Sequence, residues 1–326
     1  MCGFSLLEEA NAVNDISPMQ SKSSLSPFHE VRIARDTPAE IRNSFNENGY
    51  LFFKNVLNRE QILKAKEDLT KTLRDQGVVK GDSTDPIIKP GTSVIEVDDA
   101  PFHNLSSIQE IIASPELQAT LDIAYGERAH ISRSLGIRYA MPTDDAYLTP
   151  SHQDYFYVRE HDQFRMIWIP LMDLEIVNGG LAIASGSHKY GLRDHVEFDG
   201  VYSYHLKGRV QKGVPEEDVH GEWASSSYEI GDILMFHCCA VHRSLPNNSS
   251  LARLALNSIT YPARMPIMWQ AERTQPELQI FRDQLKELCA AEGIKDDLFE
   301  EIAIEAMKQG EDPSRDLILK LEKSLC

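Results

Sequence analysis

Apolar positions recur along this chain with two periods, and the switch between them sets out its plan. From residue 37 the spacing is helical. Thr37-Pro38 with Glu40 reads as a capping box with Pro at the first helical position, so a helix starts here and stops at Asn48-Gly49. "YLFFKNVL" is then a short strand. Asn58 with Gln61 repeats the capping pattern, and Leu63, Leu69 and Leu73 mark one face of a second helix. Residues 77–105 hold many turn formers and read as a long excursion. "SSIQEIIASPELQATLDIAYG" returns to helix, broken at Pro115.

From about residue 130 to 262 the apolar runs shorten: "ISRSLGIRYAM", "QFRMIWIPLMDL", "GGLAIASG", "GDILMFHCCAVH" and "RLALNSITYP". Turn signals such as Asn178-Gly179-Gly180 and Pro246-Asn247-Asn248 separate them. Strands at this spacing predict a sandwich or barrel. Helical patterns resume after residue 270, and there are no internal repeats. The expected organisation is a flexible Ser/Pro-rich leader over 1–35, a β-rich domain with N-terminal helices over 36–270, and a helical extension over 271–326. That extension is expected to pack on the same domain, or to make a homodimer contact.

Composition narrows the function classes. A net charge of −17 and the lack of a dense Lys/Arg run argue against nucleic-acid and anionic-membrane surfaces. Five cysteines without CxxC spacing read as free thiols in a reducing compartment, with Cys238 and Cys239 as small core fillers. The N-terminus lacks a secretory pattern, and no run reaches the ~20 apolar residues of a membrane span. The expectation is a cytoplasmic protein acting on a small molecule, with neither nucleic acid nor membrane as partner.

The candidate chemistry begins at "SHQDYF". Two His and one carboxylate on one face of Fe(II) leave positions open for a cosubstrate and O2. An H-x-D pair suits this, since residues i and i+2 of a strand point the same way. Spacing alone is weak support. Eleven His and 50 acids in 326 residues give fewer than two H-x-D/E pairs by chance, and the chain has three: His152/Asp154, His195/Glu197 and His220/Glu222. The second and third lie in polar stretches and read as solvated loops. Only His152/Asp154 runs into aromatic residues and then an apolar strand.

A second His is needed on a later strand, and His242 is placed for it. In "VHRSLPNNSSLARLAL" a two-residue turn at Asn247-Asn248 sets His242 directly opposite Arg253, with Cβ atoms about 4.5–5.5 Å apart. An Arg beside a metal-binding His clamps a carboxylate bidentately, and Ser244 falls on the same face. The alternative is a buried His–Arg pair without function. His237 has the opposite strand parity and is expected to face away, and His188 reads as structural.

These residues, with "GYLFFKNVL", "WIPLMD" at 168–173, "NGGLAIASGSHKYG" and "GDILMFHCCAVHRSLPNNS", form an ordered set over about 45–260. The set resembles the phytanoyl-CoA dioxygenase family of Fe(II)/2-oxoglutarate oxygenases. The resemblance implies a mainly β fold with flanking helices around a double-stranded β-helix, a cupin-like jelly roll. It implies that His152, Asp154 and His242 hold Fe(II), and that Arg253 binds the distal carboxylate of 2-oxoglutarate with help from Ser244. Gln153 and Trp168 would also contact the cosubstrate, with the H-x-D at a strand end where alternation fails. O2 would be the other cosubstrate and ascorbate a candidate reductant. The implied reaction oxidises an unactivated C–H of a metabolite, as in secondary metabolism, releasing succinate and CO2. Hydroxylation is the default outcome, with desaturation or ring rearrangement as variants. Related halogenases carry Gly or Ala where Asp154 stands, which argues against halogenation. Two other readings stay open: a jelly-roll metalloenzyme that does not use 2-oxoglutarate, and a metal-free binding protein on the same fold.

Overall fold

The computed structural model describes residues 25–159, 161–203, 209–265 and 275–325. Strand β1 (Glu30–Val31) precedes helix α1 (Pro38–Asn48), whose capping box forms as predicted. Thr37 Oγ1 accepts the Glu40 N–H at 3.3 Å, and the Glu40 carboxylate accepts the Thr37 N–H at 2.9 Å. Gly49, at φ 77°, closes the helix in the left-handed region and turns the chain into β2 (Tyr50–Phe53). Helix α2 (Arg59–Asp75) is capped differently from the prediction: Asn58 Oδ1 accepts the backbone N–H groups of both Glu60 and Gln61, with no return bond from the Gln61 side chain. Helices α3 (Ser106–Ile112) and α4 (Pro115–Tyr125) are separated at Ser114, whose hydroxyl caps α4.

The β region comprises β3 (Ala129–Ala140), a single helical turn α5 (Asp154–Tyr157), β4 (Arg165–Pro170), β5 (Leu181–Ala184), β6 (Val196–Ser203), β7 (Arg209–Gly213), β8 (Trp223–Ala224), β9 (Ile233–His237), β10 (His242–Ser244) and β11 (Arg253–Pro262). A six-stranded sheet has the order β1-β2-β9-β4-β11-β3, a three-stranded sheet the order β10-β5-β8, and β6-β7 form a separate ribbon. This is the expected mainly β, jelly-roll core with flanking helices. Alternation along β4 shows how it sorts its residues. Met166 and Trp168 line an interior cavity, whereas Ile167 and Ile169 are fully buried on the opposite face. Burying each of those Ile side chains contributes roughly 1.5–3 kcal/mol.

The chain enters the domain earlier than residue 36. Ser26 bridges Ala224, and Phe28 packs in the main core with its ring centroid 4.9 Å from that of Tyr50. The chain therefore joins the domain before residue 36, because one buried aromatic outweighs the polar composition around it. Residues 1–24 of the predicted leader lie outside the described residues. The C-terminal helices α6 (Gln275–Ala291), α7 (Asp296–Gln309) and α8 (Arg315–Leu325) share a core of their own, built on Leu285, Phe299, Ile302, Ile318 and Leu321. Leu278, Ile304 and Met307 from α6 and α7 line the interior cavity. Among the described residues, no helix is long and apolar enough to cross a membrane.

Candidate active site

His152 and His242 meet on one rung. His152 N–H donates to His242 O at 2.9 Å, and His242 N–H returns to His152 O at 3.0 Å. This two-residue antiparallel bridge brings their ring centroids to 4.1 Å. Asp154 follows at the first position of α5, after Gln153 in extended conformation. The H-x-D therefore spans a bridge and a helical turn. Asp154 Oδ1 lies 3.7 Å from His152 Nε2, and Oδ2 lies 3.6 Å from His242 Nε2.

The hydrogen bonds behind the rings fix what faces the carboxylate. His152 Nδ1 is 2.8 Å from Pro150 O, and His242 Nδ1 is 3.1 Å from Ala240 O. A carbonyl only accepts, so each Nδ1 carries the proton and each Nε2 presents a lone pair to Asp154. Burial, aided by His152, pulls His242 down to about 4, so its imidazole is neutral at ordinary pH. Two lone pairs thus converge on a carboxylate whose buried Oδ2 has no hydrogen-bond partner among the described residues. Such an arrangement of hard oxygen and imidazole donors fits a divalent iron and leaves one side open to the cavity.

The cavity, of ≈ 2000 Å³, is lined by His152, Asp154, Trp168, His242, Ser244 and Arg253 together with many apolar residues. Arg253 is buried, its Nη1 donates to Gly179 O at 3.0 Å, and its guanidinium lies 5.7 Å from the Trp168 ring. The predicted direct pairing of His242 with Arg253 does not occur. His242 pairs with Ile183 on β5, and Arg253 with Ala140 on β3, so they belong to opposing sheets. Asn247 explains the difference. It is buried rather than at a turn tip, and its amide donates to Ala140 O at 2.9 Å and Leu251 O at 2.8 Å. Leu245 and Asn248 donate to Gly180 O and Val177 O. Residues 245–252 therefore cross between sheets, and His242 and Arg253 meet through the cavity they both line.

Gln153 does not reach that cavity. It is fully buried; its Nε2 donates to Cys239 O at 2.7 Å and Gly191 O at 2.8 Å, and its Oε1 accepts the Arg193 N–H at 2.7 Å. Its amide is a strut between two loops, with both N–H donors committed to backbone carbonyls. His195, expected in a solvated loop, instead lines the cavity. Its ring stacks on Phe156 at 4.1 Å and 10°. Nδ1 bonds Arg193 O at 2.9 Å, and Nε2 accepts the Gln153 N–H at 3.0 Å. Burial pulls its pKa down to about 4. No local pattern in "LRDHVEFDG" distinguishes this His from a surface one, because its partners are distant in sequence. His237 faces Phe45 and His188, away from the triad, as its parity predicts. His220 stacks on exposed Tyr190.

Comparison with known proteins follows the same residues. Positions 45–255 match the family described as phytanoyl-CoA dioxygenase (PhyH). A 1-deoxypentalenic acid 11-beta-hydroxylase of Streptomyces arenae is 33% identical over 215 residues, covering 63% of this chain and 73% of that protein. The protein of the same name from Streptomyces exfoliatus is 29% identical over 252 residues, covering 73% and 86%. Among solved structures, the apo form of the non-heme monooxygenase ThoJ superposes with a TM-score of 0.50 at 17% identity, covering 83% of this chain and all of that one.

Proposed function

The chain belongs to the phytanoyl-CoA dioxygenase family, and from that premise we propose how its residues divide the work of an iron(II)- and 2-oxoglutarate-dependent oxygenase. The enzyme oxidises a small molecule and releases succinate and CO2. When bound, iron(II) supplies the oxidising chemistry, using 2-oxoglutarate and O2 to attack an unactivated C–H bond. His152, Asp154 and His242 hold the ion. The carbonyls of Pro150 and Ala240 keep both imidazoles in the tautomer that donates from Nε2. Arg253 receives the distal carboxylate of 2-oxoglutarate. Its bond to Gly179 O fixes the guanidinium before the cosubstrate arrives, so less conformational freedom is lost on binding. Ser244 and Trp168 complete that part of the wall.

The volume exceeds the ~300–1,000 Å³ of an ordinary small-molecule site, which leaves room for a second reactant beside the cosubstrate. Ile137, Met141, Leu148, Val158 and Met166 give part of that space hydrocarbon walls, beside charged residues such as Arg138, Asp144 and Lys212. We therefore read the substrate as a largely hydrocarbon metabolite and the outcome as hydroxylation; the names of the two Streptomyces relatives support this.

The observation that carries the site assignment is the Asp154 carboxylate between two Nε2 lone pairs, Oδ1 beside His152 and the orphaned Oδ2 beside His242. Anaerobic titration of the Fe(II)-loaded protein with 2-oxoglutarate tests it. A visible charge-transfer band is expected in the wild type, and it should vanish in His242→Ala. An iron-loaded wild type without a band overturns the cosubstrate assignment, and an undiminished band in His242→Ala overturns the ligand assignment.

A further inference from the structure

The link between β9 and β10 carries two adjacent cysteines that this chemistry does not use. Cys238 is fully buried, Cys239 is 6% exposed, and both are free thiols. Their Sγ atoms and a ring nitrogen of His237 all lie within 4.8 Å of one another. His237 Nδ1 accepts the Cys239 N–H at 3.0 Å and lies 3.7 Å from Cys238 Sγ. Cys238 and His237 pull the Cys239 thiol below its ordinary value against burial, and the neighbouring Cys239 sulfur pushes the Cys238 thiol up. The Cys238 thiol donates to Asp162 O at 3.2 Å, so its proton is held there and Cys239 is the sulfur left to act as nucleophile.

The carbonyls of the same two residues support the ligand segment. Cys238 O accepts the Tyr155 N–H at 3.0 Å, and Cys239 O accepts Gln153 Nε2 at 2.7 Å. Tyr155 and Gln153 flank Asp154. Whatever reshapes the Cys238–Cys239 peptide therefore acts on both neighbours of that carboxylate.

We propose that Cys238 and Cys239 form a reversible oxidative modification site that closes to a disulfide under hydrogen peroxide and thereby loosens the His152–Asp154 segment. The Cys239 thiolate attacks one peroxide oxygen, breaking the O–O bond to give a sulfenic acid and hydroxide. Cys238 sulfur then attacks the sulfenic sulfur, forming the S–S bond as water leaves. Two thiols lose two electrons and two protons, and peroxide is reduced to two waters. Adjacent Cα atoms are about 3.8 Å apart across a trans peptide, short of the roughly 4.4–6.8 Å that a disulfide prefers. The ring is consequently strained, obliges the peptide to turn, and is readily reduced again.

Only the coupling to metal affinity rests on the proposed function; disulfide formation does not. The test treats the full, iron-free, reduced chain with hydrogen peroxide, alkylates it, and maps its peptides by mass. The expected product is an unalkylated peptide spanning 238–239 that has lost two hydrogens and recovers them with dithiothreitol. Fe(II) affinity should fall about tenfold or more on oxidation, the scale of losing outer support for metal ligands, and return on reduction. Cys289→Ser should respond like wild type, whereas Cys239→Ser should neither cross-link nor lose affinity; Cys238→Ala gives the same reading where Cys239→Ser folds poorly. Two alkylated thiols after peroxide, or a sulfinic acid without a cross-link, overturn the modification site. A disulfide that leaves Fe(II) affinity unchanged overturns its link to the metal. Failure of the reduced wild type to bind Fe(II) and 2-oxoglutarate counts against the proposed function instead, while the peptide map still decides the dithiol.

Discussion

Replacing Gln153 with Ala separates a strut from a cosubstrate contact. The wild-type amide makes three hydrogen bonds, to Cys239 O, Gly191 O and the Arg193 N–H. After truncation, exposed Gly191 and half-buried Arg193 recover water, but the buried Cys239 carbonyl cannot. One orphaned buried acceptor costs about 1–3 kcal/mol, and each lost buried methylene adds about 0.8 kcal/mol. A total of about 2–4 kcal/mol lowers the Tm of a protein this size by about 3–6 °C. Because Gln153 sits between two ligands, Fe(II) affinity is expected to weaken by about 10–100-fold. Affinity for 2-oxoglutarate in the iron-saturated protein should change little. Calorimetry, Fe(II) titration and anaerobic 2-oxoglutarate titration on the same preparation measure all three. An unchanged Tm together with a 2-oxoglutarate Kd raised about tenfold or more refutes the strut and restores the direct contact that the family resemblance implied.

Arg253→Ala should raise the Kd for 2-oxoglutarate about 30-fold or more, since truncating one partner of a buried charge pair costs about 2–5 kcal/mol. Arg253→Lys should fall between, keeping the charge but losing the fork; an unmoved Kd in Arg253→Ala refutes the assignment. Gly179→Ala should destabilise the protein by about 1–3 kcal/mol: the residue sits at φ 76°, and an added Cβ would lie 2.5 Å from Leu245 O. A urea midpoint matching wild type refutes that. Burial pulls His188, His195 and His242 from an ordinary 6.5 to about 4. Between those values the unfolded chain binds protons that the folded one refuses, so stability of the iron-free protein should fall as pH drops through that window. Thermal midpoints that stay flat across it contradict the assignment.

Short-range features were readable from the residues because their causes are local. Thr37 with Glu40, and Pro115 after Ser114, need only their own neighbours to define helix ends. The strand-rich texture and the parity of His237 follow from a two-residue period. Long-range pairing is a different matter. Asn247-Asn248 has the chemistry of a hairpin turn, but Ala140 O on β3 and the Thr143 N–H, both about a hundred positions away, join the local groups of Ser249 and Leu251 in holding Asn247 in the interior. Gln153 and His195 depart from expectation for the same reason. Each is defined by partners about forty to ninety positions away, at Arg193, Cys239 and Gln153 itself. Phe28 was hidden by the Ser/Pro-rich stretch around it. The ordered set of motifs carried the oxygenase reading because it encodes this distant geometry, which no single run of residues does.

The mutual backbone rung between His152 and His242 has an implication for how such a scaffold diversifies. The β6–β7 ribbon supplies Glu197, Ser203, Val210, Gln211 and Lys212 to the cavity wall, yet among the described residues it pairs as a separate sheet, apart from the rung whose two backbone hydrogen bonds hold the imidazoles together. Residues in that ribbon can be exchanged or reshaped without dragging the imidazoles apart. Selectivity for new substrates can therefore be altered in one stretch of the polypeptide while the reactive hardware stays in register.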